Sequence, residues 1–266
     1  MRSPIINTVP VTSRIAQVII GCSISLFLVS ATVQADTLVV QPTQLTMSAA
    51  KPVVDLMVRN TSAEERTITM DISAWQQLDG RDQLIPSGKL IVHPEKILLK
   101  PGESGRVRVG LRLSGPLWEE EAFQLQLTEV PRIPDIGTER TKPVENQISR
   151  RSSVQIFLMP PGTASPMVSW HVNRSPDGAV RLSARNGGRA HIQLHSASLT
   201  GPDGQRIEMR DLSTVILAGG TRSWRLMEDA AGGLWKLSAM TNVGSMQAEL
   251  ALEPGLSTST SVSLAE

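Results

Sequence analysis

The chain has 266 residues, a formal net charge of +1 at pH 7 and one cysteine, Cys22. A balance this near zero gives no reason to expect nucleic acid or an acidic surface as partner. A single cysteine excludes an internal disulfide framework, so the fold has to rest on hydrophobic cores.

The first 35 residues read as a secretory signal peptide. Arg2 and Arg14 are their only charges, positions 15–30 are mostly apolar, and Val33-Gln34-Ala35 offers small residues for cleavage after Ala35. The apolar stretch is shorter than the roughly 18–20 residues that span a bilayer, so no stable membrane insertion is expected after cleavage. Ile19-Ile20-Gly21-Cys22 has the form of a lipoprotein cleavage box, but the chain stays apolar beyond Cys22, where a lipoprotein turns polar. Removing the segment takes away Cys22, Arg2 and Arg14 and leaves a net charge of −1. The remaining residues, about 230, are enough for two domains of ordinary size.

Beyond the signal, short alternating runs follow one another. In VVDLMVRN, Val54, Leu56 and Val58 share a face; in RTITMDISAW, Ile68, Met70 and Ile72 do. GRVRVGLRL sets Val107, Val109, Leu111 and Leu113 against Arg106, Arg108 and Arg112, and AFQLQLTEV sets Phe123, Leu125 and Leu127 against Gln124, Gln126 and Thr128. Turn pairs such as Asp79-Gly80, Pro101-Gly102 and Gly187-Gly188 separate the runs. Period-two alternation between closely spaced turns predicts antiparallel sandwiches. Only 116–122 has room for a helical turn. Proline and glycine concentrate between Pro160 and Pro166, which predicts an elbow. The expected architecture is all-β: two tandem sandwiches over 36–161 and 162–256, then a small, polar, frayed tail over 257–266.

The segment NQISRRSSVQIFLMPPG (146–162) straddles that elbow. It begins charged, with Arg150 and Arg151, and ends in a core-like run from Val154 to Leu158.

No phosphate loop, dinucleotide fingerprint or Gly-x-Ser-x-Gly elbow is present. His191 and His195 lie four residues apart, about 13 Å along a strand, too far to share a metal. Glu119-Glu120-Glu121 reads as a solvated loop or strand start rather than an acid–base pair. Trp75, Trp170, Trp224 and Trp235 sit among alternating strand residues and are expected to fill cores. An enzyme is not expected, and a hydrolase on a sandwich scaffold would lack any assembled nucleophile and base.

Several stretches resemble one family. The run from Asn60 to Leu111, with Ala74-Trp75-Gln76-Gln77-x-Asp79-Gly80, Pro101-Gly102-Glu103 and Arg108-Val109, is similar to the first domain of PapD-like periplasmic pilus chaperones. So is EAFQLQLTEVP. LSARNGGRAHIQL and VILAGGTRSWRL resemble the archaic branch that serves Csu-type and spore-coat-U-like fimbriae. The resemblance implies two immunoglobulin-like sandwiches and a non-catalytic periplasmic chaperone using neither cofactor nor ATP. Its partners would be a pilus or fimbrial subunit, held one-to-one, and an outer-membrane usher.

It also implies the working part. The subunit lacks its last strand, and the chaperone lends 147–159, so backbone bonds supply affinity and alternate side chains fill the open core. Counting by two from Val154 puts Ser152, Arg150, Ile148, Asn146 and Val144 on the donor face; upstream of Val154 only Ile148 and Val144 are apolar. So thin a face suits easy handover, a subunit with a shallow groove, or a chaperone-like protein that has lost the activity. Family members clamp the subunit's terminal carboxylate with an Arg on the first strand and a Lys on the lent one. Here those positions hold Gln44 and Gln155, which carry no charge. Arg150 or Arg151 would be the substitute anchor, with Arg106 and Arg108 elsewhere in the domain, or Arg150 and Arg151 simply keep an exposed edge soluble. The rival class is a secreted tandem immunoglobulin-like structural or adhesive module. A polymerising subunit would carry a free alternating extension, whereas DTLVVQPTQLTM runs almost directly into the first strand.

Overall fold

A computed structural model describes residues 38–112, 115–130, 150–175, 178–209, 214–227 and 232–253. The first sandwich comprises β1 (Leu38–Gln41), β2 (Gln44–Ser48), β3 (Val53–Asn60), β4 (Arg66–Leu78), β5 (Arg81–Pro86), β6 (Leu90–His93), β7 (Lys96–Leu99), β8 (Ser104–Leu111), β9 (Glu121–Val130) and β10 (Arg151–Met159). The second comprises β11 (Val168–Arg174), β12 (Val180–Asn186), β13 (Ile192–Thr200), β14 (Arg206–Met209), β15 (Thr214–Ile216), β16 (Thr221–Met227), β17 (Gly233–Thr241) and β18 (Gly244–Leu252). No helix occurs among the described residues. The possible turn over 116–122 is instead a bend followed by the start of β9, because Glu120 is drawn into contacts with the second sandwich.

In the first sandwich, one sheet has the order β1-β3-β8-β6. The other runs β2-β10-β9-β4-β5, with β7 also paired to β4. The chain passes from the first sheet to the second at Pro42, which follows a cis peptide bond. Before it, β1 lies antiparallel to β3; after it, β2 lies parallel to β10. The alternating residues meet between the sheets. Val54, Leu56, Val58, Ile68, Met70, Ile72, Val107, Val109, Phe123, Leu125, Leu127, Val154, Ile156 and Leu158 form one core. Burying such side chains contributes roughly 1.5–3 kcal/mol each.

The second sandwich stacks β11-β12-β16 on β14-β13-β17-β18, with β15 beside β13. Trp170 and Trp235 are fully buried in its core, and Trp224 packs half-buried against it. In each sandwich a fully buried asparagine, Asn60 or Asn186, ends a strand and ties down the loop that follows. The Asn186 amide donates to the Ala190 carbonyl at 2.7 Å, and its oxygen accepts from Gly188 N–H at 3.0 Å. That loop delivers Arg189 and His191 to the first sandwich.

Asp79 and Gly80 both have positive φ, 52° and 74°, and close the β4–β5 hairpin where Leu78 pairs with Arg81. This is the backbone that an Asp-Gly pair in a two-residue turn accommodates.

Candidate functional site

Two features of β10 matter for function. It is flanked along only part of its length, and its two faces serve different neighbours. Residues 151–158 pair with β9, but β2 joins the other side only from Gln155 onward, in the register Gln155↔Gln44 to Met159↔Ser48. Over 151–154 that side has no strand partner among the described residues. Among the described residues, half of β10 is therefore a sheet interior and half an open edge.

Along one face, Val154, Ile156 and Leu158 enter the core of the first sandwich. Along the other, cross-strand pairing lines up successive rows. Trp75, Ala122 and Phe157 form one row; Ser73, Gln124, Gln155 and Gln44 form the next; Asp71, Gln126 and Ser153 follow, then Thr69, Thr128 and Arg151. The first row is apolar because the second sandwich covers it: Trp75, Ala122, Phe157, Val215 and Leu217 make a separate buried cluster. Trp75, Ala122 and Phe157 are each out of phase with their own strand's core face, as Trp75 is with Ile68, Met70 and Ile72. Trp75 is thus a joint residue rather than the core residue expected.

Polar contacts frame this joint. The Phe157 and His191 rings stack at 3.7 Å and 8°. Glu120, also buried, accepts from His191 N–H at 3.1 Å and sits 2.7 and 2.9 Å from His191 Nδ1. The expectation that Glu119-Glu120-Glu121 is a solvated loop or strand start is corrected for Glu120 alone; Glu121 opens β9 and meets Lys89 Nζ at 2.6 Å. On the other flank, Gln77 behaves as a strand partner to the second sandwich. Its amide donates to Val215 O at 2.9 Å and its oxygen accepts from Leu217 N–H at 3.1 Å. A side chain on Gly220 would meet that same oxygen and displace the Gln77 amide from these bonds.

Arg222 reaches across to donate to Gly80 O at 3.1 Å and to both Asp82 oxygens, while Trp75 Nε1 donates to Asp82 at 2.8 Å. Partial burial pushes the Asp82 pKa up, but the hydrogen bonds from Arg222 and Trp75 outweigh it and hold the carboxyl below its ordinary range. Beside Asp82 and Arg222 lies a cleft of about 450 Å³, also lined by Gln124 and Gln155.

The expected anchor residues divide. Gln44 and Gln155 are brought side by side, on the outward row next to the joint. Arg151 shares their face but stands four residues along β10, about 13 Å from Gln155. Arg150 and Ser152 fall on the alternate face, in phase with Val154, and both are half-buried. Val154 is turned into the core, so the open edge offers its backbone rather than its side chain. Val144 and Ile148 lie outside the described residues. Arg106 and Arg108 point outward from β8 in the opposite sheet, where Arg108 Nε donates to Asp55 at 2.9 Å and holds that carboxyl below its usual range. They do not join the glutamines. Sequence reasoning missed the Glu120–His191 and Asp82–Arg222 pairs, whose members lie far apart in the chain. It also missed Trp118, which is 80% exposed beside the joint.

Among the described residues, no group of three His, Cys, Asp or Glu is placed to hold a metal ion, and no helix is long and apolar enough to cross a membrane.

Comparison with known proteins agrees with this geometry. Residues 37–164 match the family described as pili and flagellar-assembly chaperone, PapD N-terminal domain. An uncharacterized fimbrial chaperone, YcbF of Escherichia coli K12, is 26% identical over 170 residues, covering 61% of this chain and 68% of that protein. Among solved structures, a chain of the CsuC–CsuE chaperone–tip adhesion subunit complex from the archaic Csu pili of Acinetobacter baumannii superposes with a TM-score of 0.62. It shares 16% identity and covers 82% of this chain and 100% of its own. The CupB2 chaperone of Pseudomonas aeruginosa gives 0.51 at 18% identity, covering 81% and 100%. At these identities the structures speak to the fold, two immunoglobulin-like sandwiches.

Proposed function

We propose, from the match of residues 37–164 to the family described as pili and flagellar-assembly chaperone, that this chain is a periplasmic chaperone that lends a strand to fimbrial subunits. On this reading the chain is exported by a signal cut after Ala35, leaving sandwiches over 36–161 and 162–256. It binds one subunit at a time and passes it to an outer-membrane usher.

The observation that supports this best is the half-flanked strand. A client lacking its last strand presents unpaired backbone groups along a groove, and the unpaired side of 151–154 is a template for them. Pairing the two edges satisfies both and blocks the aggregation that either invites alone. The buried joint at Phe157 keeps β10 fixed while its free half is engaged. No covalent step is involved, so release needs only a competing strand. Upstream of the open half, Ile148 and Val144 would fill the client's core from the donor face. Gln155 and Gln44 would meet the client's chain with amides rather than charge.

The test is co-expression with a candidate subunit in the periplasm. The chain is expected to co-purify one-to-one, and Ile148→Asp is expected to abolish recovery of the subunit without moving the chaperone's unfolding midpoint. A subunit that is stable alone while the chain elutes only as free monomer would overturn the proposal.

A further inference from the structure

We infer that a basic groove between the β4–β5 turn and the exposed face of β12 binds an acidic segment of the client polypeptide. This rests on the chaperone reading above and extends it to a second contact. The groove, about 590 Å³, is lined by Asp79, Gly80, Arg81, Arg181, Arg185 and Ser223, among others. Arg181 and Arg185 stand on the exposed face of β12, on either side of Ser183, whose hydroxyl meets that of Ser223 at 2.8 Å. Arg81 comes from the facing hairpin.

Charge is concentrated here without being balanced. Asp79 is the sole acid lining the groove against three arginines, and Asp82 next to it is already occupied by Arg222. Arg181 Nε donates to Ser175 Oγ at 2.6 Å, a neutral partner. Among the described residues neither Arg81 nor Arg185 has a carboxylate partner. The chain as a whole is nearly neutral, so this is local placement and not a basic composition. Each guanidinium fork can donate two parallel hydrogen bonds to one carboxylate, so a segment bearing several acids would engage the arginines one by one.

Position identifies whose carboxylates these are. The neighbouring cleft, which shares Gly80 and Ser223 with the groove, is lined by Gln155 of β10. A strand paired along 151–154 reaches the place where Gln155 N–H donates to Thr43 O at 3.1 Å and β2 takes over the edge. It has to leave the sheet there, on the side of the cleft, and the arginines lie beyond the Asp82–Arg222 bridge. Gln44 and Gln155 pass the chain along without holding a charge. The groove then receives acidic residues next to the client's pairing strand.

The test uses the purified mature chain and a labelled peptide of Asp and Glu interspersed with small residues, beside its Asn/Gln analogue. The acidic peptide is expected to bind at low salt and to weaken as salt rises, and the neutral analogue is not. Arg81→Glu with Arg185→Glu is expected to lower its affinity by at least about tenfold with an unchanged unfolding midpoint. Equal affinity in the double variant overturns the inference. So does arginine-dependent binding of inorganic phosphate or of phosphatidylglycerol vesicles with none of the peptide. In co-expression, full subunit recovery by the double variant sinks the groove and leaves the strand-lending reading intact. Failure of the unmodified chain to hold a subunit sinks that reading, and the peptide titration still scores the groove.

Discussion

The two halves of β10 have similar backbones and opposite surroundings. Residues 155–158 have β9 on one side and β2 on the other, a core under one face and the second sandwich over part of the other. Among the described residues, 151–154 have β9 alone. What a side chain contributes therefore depends less on its type than on how many neighbours its position supplies. In the enclosed half, substitutions act on stability; in the open half, they act on what the edge can accept.

The largest effect is expected from Ile156→Ala. Ile156 is fully buried, and its truncation is expected to destabilise the chain by about 2–5 kcal/mol in urea unfolding. A loss under about 1 kcal/mol would mean that the enclosed half is not a core strand.

A smaller effect is expected at the flank of the joint. Asp82→Asn weakens the bridge to Arg222, and since Asp82 is largely exposed the loss is expected to be about 0.2–1 kcal/mol at neutral pH. The pH dependence has a definite sign. A depressed carboxyl pKa contributes stability that is fully present above the ordinary value near about 4 and is lost as pH falls through the folded value. The difference between the parent chain and Asp82→Asn is therefore expected to shrink on acidification from that point. A difference that persists unchanged at acid pH would rule out the ion pair as its source.

The smallest effect belongs to the open half. Ser153→Ala, on an exposed position with one neighbouring strand, is expected to change stability by no more than about 0.5 kcal/mol by the same measurement. A loss comparable to that of Ile156→Ala would erase the distinction between the halves.

The strands and cores were legible because period two reports directly on which face is buried. Val54, Leu56 and Val58, or Phe123, Leu125 and Leu127, needed no partner information. The joint was legible in principle by a less obvious signal. Trp75, Ala122 and Phe157 are apolar residues in the wrong phase, and a strand that is apolar on both faces has to be covered on both. What alternation does not carry is which distant residue does the covering. Glu120 and His191 lie 71 positions apart, and neither has a local pattern that names the other. The same applies to Arg222 with Asp82, and to Arg81 with Arg181 and Arg185. Each arginine reads as an ordinary outward strand or turn residue until the two sandwiches are juxtaposed. The glutamine row was half legible: Gln44 and Gln155 were picked out, but their adjacency follows from a parallel pairing that begins after the crossing at Pro42.

The out-of-phase Phe157 has a consequence for length as well as for identity. Between Val154 and Leu158 the side chains serve core and joint by turns, with Gln155 on the cleft side. One residue inserted before Ile156 would shift the remainder by one place, turning Phe157 toward the core and Ile156 toward His191. The segment therefore behaves like a reading frame: it tolerates a change of letter at Ser153 far better than the addition of one. Two inserted residues would restore the phase of both faces while displacing the elbow by one pleat, about 7 Å. Among variants in chain length here, even steps are the ones compatible with both sandwiches keeping their proper faces.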